Sequence, residues 1–353
     1  MSHLEIHKLY YPPAQPVEKQ KDLYMIFHCE DCGKKLRVSH PQYGFGMVCP
    51  HCKAGLICPS PSFHVGEKLG HFQIDGWVAK GSMGEVYYAR SGKSGRVCAL
   101  KVLNSSLGEE SIKLFDQEAE VLRVFTHTSL PRLIAHQQDR GYRYTAMTYF
   151  EGESIDRLLI RESALSEELV LNMMAQVANG LNHVWRNFGL LHFDIKPANI
   201  MLCDNGFTGL VDWGMARTWD HTQVTGVAFG TPFFMDPMRF TQTDLLDYRS
   251  DMYSLAASFF QALTGQVPYF DLDTDVVVDK ALTEPVPSLI ECGASVTERT
   301  DALFRKMMAK TADERYLTWE DVIEEISAIL DDLGSNTWID SANIQAAGLI
   351  AEE

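Results

Sequence analysis

The chain has 353 residues, 46% hydrophobic and 22% charged, a balance that buries a core and excludes a wholly disordered or collagen-like protein. The length predicts roughly two domains. A formal net charge of −16 sets the chain as a whole against nucleic acid and anionic membranes. No apolar run approaches the ~18 residues that span a bilayer. The start, Met1-Ser-His-Leu-Glu-Ile-His7, lacks the basic and apolar parts of a signal peptide. No membrane association and a cytoplasmic protein with reduced thiols are therefore expected. Residues 1–26, with Tyr11-Pro-Pro-Ala-Gln-Pro16, read as an irregular lead-in.

Residues 27–57 hold Cys29-x-x-Cys32 and Cys49-x-x-Cys52 with 16 residues between the pairs. Four thiolates at this spacing complete a tetrahedral zinc site. Two disulfides or a redox-active pair are the alternatives, and a reducing compartment disfavours both. The stretch resembles a zinc ribbon, which implies structural Zn²⁺. Cys58 is surplus to the four, and His28 and His51 flank them as substitutes. Cys98, Cys203 and Cys292 are isolated and read as small packing residues. Lys34, Lys35, Arg37 and Lys53 against Glu30 and Asp31 leave the ribbon at +2. That is weak evidence for a nucleic-acid contact, and a partner-binding or docking role is the plainer reading. Residues 58–65, Cys-Pro-Ser-Pro-Ser-Phe-His-Val, read as a semi-stiff linker.

Residues 66–332 read as one large domain and 333–353 as a tail. Strands are predicted at 72–78, 86–90, 97–103 and 142–150 from β-branched and aromatic residues. A helix at 109–125 interrupts them. Ser166 caps a second helix, in which Leu169, Met173, Val177, Leu181 and Val184 recur at helical spacing. Thr318-x-x-Asp321 opens a last helix. Strands first and helices later give the fold class α+β, in two lobes.

Five pieces of this domain carry chemistry. Val78-Ala-Lys-Gly-Ser-Met-Gly-Glu-Val86 places Gly81 and Gly84 between two strands. Cys98-Ala-Leu-Lys101 ends an apolar run on a cation that wants an anionic partner. Glu118 falls in the apolar stripe Leu114, Val121, Phe125 of the 109–125 helix, whereas Glu120 shares a polar face with Lys113, Asp116 and Arg123. An inward Lys101–Glu118 pair accounts for both. His192-Phe-Asp-Ile-Lys-Pro-Ala-Asn199 clusters Asp194, Lys196 and Asn199 in a loop. Asp212-Trp-Gly214 follows the apolar run ending at Val211 and, with Asn199, offers oxygen ligands for Mg²⁺.

In this order the five pieces resemble the protein kinase signature set over residues 66–332, in the wording of bacterial Ser/Thr kinases of eukaryotic type. Gly230-Thr-Pro232, Asp251-Met-Tyr-Ser-Leu255 and Asp313-Glu-Arg-Tyr316 extend the likeness. The resemblance implies a bilobal fold, β-rich N-lobe and helical C-lobe, that transfers the ATP γ-phosphate to Ser or Thr of protein substrates. Lys101 would hold phosphates, positioned by Glu118. Asp194 would be the base, Lys196 would steady the phosphoryl group, and Asn199 and Asp212 would hold Mg²⁺. Ala79, Gly81 and Gly84 would line the phosphate loop. Val86, Ala99 and Met201 would sandwich the adenine, with Met147 as gatekeeper and the 148–150 backbone, ending at Phe150, pairing with its edge.

Trp213 stands for the usual Phe and keeps its packing role, and three further positions depart from the pattern: Ala79 for the first glycine, Phe193 for an arginine that pairs with an activation-segment phosphate, and Met238 for the glutamate of Ala-Pro-Glu. They leave open a pseudokinase or nucleotide-binding scaffold. Phe193 implies activity without phosphorylation at Thr222 or Thr225. Met238 leaves Arg315 without its usual partner, and Asp236 is the candidate substitute. Residues 1–70 carry +2, 71–240 carry −3 and 241–353 carry −15. The acidic excess, including Asp271, Asp273, Asp275 and Asp279, suggests a basic substrate or simply a solvated face. Oligomeric state has no signature in the sequence.

Overall fold

The computed structural model describes residues 24–29, 31–39, 46–57, 61–81, 83–219, 231–241 and 246–335. Thr222, Thr225, Gly230, Cys58 and most of the predicted lead-in and tail lie outside them. The chain forms two compact units, one of residues up to 123 plus 132–149, the other of 124–131 plus 150 onward.

The first unit is β-rich. Two hairpins, β1 (Tyr24–His28) with β2 (Lys35–Ser39) and β3 (Gly46–Val48) with β4 (Gly55–Ile57), each carry one cysteine pair at their turn. Then come β5 (Lys68–Leu69), β6 (Phe72–Lys80), β7 (Gly84–Ser91), β8 (Val97–Leu103), helix α1 (Glu109–Arg123), β9 (Leu133–Asp139) and β10 (Tyr142–Met147). Their sheet runs β5-β6-β7-β8-β10-β9, all antiparallel.

Register divides this sheet into two faces. Val86, Lys101 and Thr145 form one cross-strand row, and Tyr88, Ala99 and Met147 form the next. On the opposite face stand Glu85 across from Val102, Tyr87 from Leu100, and Ala89 from Cys98. That second face is apolar, and Cys29, Leu36 and Cys49 of the hairpins join Leu100, Val102 and Tyr87 in one hydrophobic cluster. The ribbon therefore packs on the sheet. Within the predicted linker, Phe63 is 4% exposed, inside the same cluster.

The second unit is mostly helical: β11 (Gly152–Ser154), α2 (Ile155–Glu162), α3 (Glu167–Phe188), β12 (Leu190–Leu191), β13 (Ile200–Cys203), β14 (Thr208–Leu210), β15 (Arg217–Thr218), α4 (Met238–Thr241), α5 (Tyr248–Thr264), α6 (Thr274–Thr283), α7 (Glu298–Met307) and α8 (Trp319–Asp332). Ser166 caps α3 by accepting from the Leu169 N–H, and Thr318 with Asp321 forms the capping box of α8. Helix α5 is buried on nearly all sides. Its Ser258 hydroxyl donates to the Ser254 carbonyl (2.7 Å), which satisfies a polar group inside the core. Among the described residues no helix is long and apolar enough to cross a membrane.

Candidate active site and metal centre

The candidate residues fall into one group in each unit. In the β-rich unit Lys101 Nζ donates to both carboxylate oxygens of Glu118, at 2.8 and 2.7 Å. Glu118 is 4% exposed, and the facing lysine offsets the cost of burying its charge. Helix α1 is tied down on its other side as well. Asp116 receives His136 Nε2 at 3.0 Å and pairs with Arg143, while His136 Nδ1 meets the Thr145 hydroxyl at 2.9 Å. Glu120 pairs outward with Arg123.

The glycine hairpin closes through Gly81 N–H to the Gly84 carbonyl (2.8 Å). Gly84 is glycine for a steric reason: a Cβ there would stand 2.0 Å from the Val102 carbonyl oxygen. A Cβ on Gly81 would meet only the Gly84 oxygen, at 3.9 Å. Ala79 pairs with Val86 across the hairpin, and its carbonyl accepts from Trp77 Nε1 at 3.1 Å. Val86, Ala99 and Met147 share the Lys101 face by register. Thr148 N–H donates to the Arg132 carbonyl (3.0 Å). In the 148–150 stretch it is thus not the Thr148 amide that is left for a base edge.

In the helical unit Asp194, Lys196 and Asn199 come together. Lys196 Nζ donates to Asp194 Oδ2 at 2.6 Å. Asn199 Nδ2 donates to the Asp194 carbonyl at 2.8 Å and to Oδ2 at 3.2 Å, which leaves the amide oxygen as the atom to face a cation. Val211 N–H donates to the Asn199 carbonyl (2.8 Å), tying the run into Asp212 to this loop. Asp212 is exposed, with φ +63°. Next to it Trp213 is fully buried against His192 (4.5 Å between ring centroids) and Phe125 (4.6 Å). Met201 lies on β13 opposite Gly209. Phe150 packs over Gly209, where a Cβ would come within 2.5 Å of its ring.

Asp251 organises this loop, a role that its place in a matched motif did not reveal. From α5 it accepts the His192 N–H (2.6 Å) and the Phe193 N–H (3.0 Å). Burial raises its pKa, opposed by those two amides and by the nearby Arg239 guanidinium. Burial also lowers the pKa of His192. As a neutral ring His192 accepts the Asp194 N–H at Nδ1 (3.2 Å) and donates from Nε2 to the Val211 carbonyl (3.2 Å). The sequence signal for Asp251 was a carboxylate leading an apolar helix.

Two departures from the kinase pattern have structural answers. Arg315 Nη2 and Nη1 donate to Asp236 Oδ1 (2.8 Å) and Oδ2 (2.9 Å), a bidentate pair with almost no solvent exposure. Asp236 thus takes the place of the missing glutamate. Phe193, at φ +63°, lies under the Arg239 guanidinium (4.8 Å), which also donates to the Phe193 carbonyl (2.9 Å).

The four ribbon sulfurs converge. All lie within 4.8 Å of one another, with Cys29–Cys52 at 3.6 Å and Cys32–Cys49 at 3.8 Å. A zinc ion about 2.3 Å from four sulfurs needs edges of about 3.8 Å; a disulfide would need about 2.05 Å. The set fits a tetrahedral metal. The Cys52 amide draws the Cys49 thiol down to about 6, aided by the His51 amide. The Ala54 amide lowers Cys52, yet burial and the neighbouring sulfurs push it up to about 12. Among the described residues His51 is not one of the converging ligands, and Cys58 lies outside the described residues.

The protein kinase domain family matches residues 72–326. The serine/threonine-protein kinase PknD of Mycobacterium tuberculosis is 30% identical over 264 residues, which cover 73% of this chain and 39% of that protein. The serine/threonine-protein kinase pkn3 of Myxococcus xanthus is 29% identical over 288 residues, 77% of this chain and 52% of that protein. PknH of Mycobacterium bovis is 27% identical over 262 residues, 73% and 44%. The chain thus spans about half the length of these relatives or less.

Proposed function

The chain belongs to the protein kinase family, and from that premise we propose that it is an active Ser/Thr protein kinase of the bacterial eukaryotic-like type, using Mg-ATP. Two observations together carry this reading: a pre-set Asp194–Lys196–Asn199 cluster in the helical unit and a closed Lys101–Glu118 pair in the β-rich unit. A pseudokinase or scaffold would not need both.

Roles follow from the chemistry of each group. Lys101, oriented by Glu118, neutralises the α- and β-phosphates of ATP. The hairpin from Ala79 through Gly81 and Gly84 offers backbone N–H groups to phosphate oxygens. Val86, Ala99 and Met201 supply apolar walls for the adenine, Met147 limits its depth, and the backbone at Phe150 pairs with its edge. Asp194 accepts the proton of a Ser or Thr hydroxyl as its oxygen attacks the γ-phosphorus and the bond to the β-phosphate oxygen breaks. Lys196 donates to the transferring phosphoryl group. Asn199 and Asp212 are hard oxygen donors of the kind that hold Mg²⁺, which when bound spreads the developing phosphate charge.

Purified full-length protein with radiolabelled ATP tests this. Asp194→Asn lowers phosphate transfer by about 10²–10⁴-fold, with nucleotide binding retained. Equal transfer by the variant overturns the reading. The Arg239–Phe193 stack occupies the place of a phosphate-pairing arginine, so activity does not require phosphorylation at Thr222 or Thr225. A loss of more than about tenfold in a Thr222→Ala/Thr225→Ala double variant contradicts that.

The cysteine site takes structural Zn²⁺, and we assign residues 27–57 to it and 66–332 to the kinase domain. A basic substrate is the finer reading of the acidic distal region. Structural duties already account for Asp273, which caps α6, and for Asp271, which pairs with Lys280 (3.1 Å). Of these four aspartates, Asp275 and Asp279 are left for a substrate. A peptide panel indifferent to Arg and Lys rejects it.

A further inference from the structure

Phe63 and Ser62, just after the ribbon, are fastened to the strand that carries the glycine hairpin. Ser62 N–H donates to Glu85 Oε2 at 2.9 Å, and Phe63 N–H donates to the Tyr87 hydroxyl at 3.1 Å. The Tyr87 hydroxyl in turn donates to Glu85. The Phe63 ring is edge-on to Tyr142 (4.8 Å) and Tyr87 (5.9 Å). Glu85 directly follows Gly84, and its other oxygen pairs with Lys80 at 3.3 Å across the hairpin. One buried carboxylate therefore links the post-ribbon segment to both strands of the hairpin.

The sheet explains why such a link is needed. Glu85 and Tyr87 stand on the face opposite Lys101, together with Leu100 and Val102. That face is covered by Cys29, Leu36 and Cys49, so the cover consists partly of the metal ligands themselves. A ribbon this small has too little apolar surface to stay folded without its metal. Loss of the metal would release this cover and expose to water the apolar face on which Glu85 and Tyr87 hold Ser62 and Phe63.

We propose that the ribbon and the Ser62–Phe63 latch are a positioning element for the glycine hairpin, so that metal occupancy at Cys29, Cys32, Cys49 and Cys52 sets the affinity of this chain for nucleotide. The nucleotide half of this statement rests on the kinase reading. The hairpin half does not. The latch acts through Glu85, a positioning residue on the face away from the phosphates.

The test uses the zinc-loaded full chain, a fluorescent ATP analogue, and amide hydrogen exchange over residues 79–86 measured without nucleotide. Phe63→Ala and Glu85→Gln keep one equivalent of zinc, exchange these amides faster, and bind the analogue about fivefold more weakly. Chelating zinc from the wild type gives the same two changes. Chelating it from Phe63→Ala weakens binding by less than about a further twofold, because both perturbations act along one path. Unchanged hairpin exchange in both latch variants, or in the chelated wild type, overturns the proposal. Faster exchange with unaltered analogue affinity also overturns it, because the hairpin then does not govern binding. A wild type that binds the analogue with the expected latch dependence but transfers no phosphate supports the proposal while refuting the kinase reading.

Discussion

In the β-rich unit a single ion pair, Lys101–Glu118, is aimed by a sheet whose far face needs an apolar cover. In the helical unit Asp194 is aimed by buried polar groups: Asp251 on two backbone amides, His192 on the Asp194 amide, and Arg239 on the Phe193 carbonyl. The first arrangement depends on how well a surface is covered, and the second on whether every charge keeps its partner. Apolar cover is non-directional, so it yields gradually when disturbed. A buried charge network loses a large energy at once when one member is removed.

The largest expected effect breaks the helical side. Arg315→Ala leaves Asp236 buried and unpaired and costs about 3–5 kcal/mol, read as a lower urea midpoint for that unit. An Asp236→Leu/Arg315→Met double variant recovers most of the loss, and an additive double-mutant cycle would refute the pairing.

Acid sharpens the contrast next. Burial, followed by the nearby His183, lowers His127 from the usual 6.5 to about 4. Above pH 6.5 the ring is neutral folded and unfolded, and contributes no pH dependence. Between 6.5 and 4 the unfolded chain takes up the proton first, so stability falls as pH falls, by about 3 kcal/mol in all. His127 Nδ1 accepts the Ser129 N–H (3.1 Å). His127→Asn keeps an acceptor near that position and cannot titrate. Urea midpoints at pH 7.5 and 4.5 should differ less in this variant than in the wild type; equal differences remove His127 from the account.

The smallest effect lies on the β-rich side. Gly84→Ala forces the hairpin away from the Val102 carbonyl and costs about 1–3 kcal/mol, with weaker ATP binding. Gly81→Ala meets open space and changes stability less. Equal losses at both positions would show that backbone freedom, not the close approach at Gly84, explains the glycine.

Local structure was readable wherever a local pattern carried it. Strand β8 begins and ends where its β-branched run does, at Val97–Leu103. Helix α1 was predicted at 109–125 and ends at Arg123. The inward Glu118 followed from helical spacing, and the four cysteines from two identical turns. Strand β9 was not predicted. Its sequence, Leu-Ile-Ala-His-Gln-Gln-Asp, has little β signal, and pairing with β10 holds it in place. The burial of Phe63 within the 58–65 linker was not legible, because prolines and serines describe a chain's stiffness but not which wall Phe63 meets.

By itself the sequence determined that strands come first and helices later, the cysteine tetrad, the membership of Lys101, Glu118, Asp194, Lys196, Asn199 and Asp212 in one motif set, and Asp236 as a candidate partner for Arg315. These rest on periodicity, spacing and charge, which are properties of short stretches. Only the tertiary structure decided that Asp251 anchors the loop before Asp194 from 58 and 59 residues away, that Arg239 covers Phe193, and that the ribbon joins the apolar face of the sheet. Those choices depend on shape and desolvation between surfaces remote in sequence, and no local pattern encodes which surface will meet which.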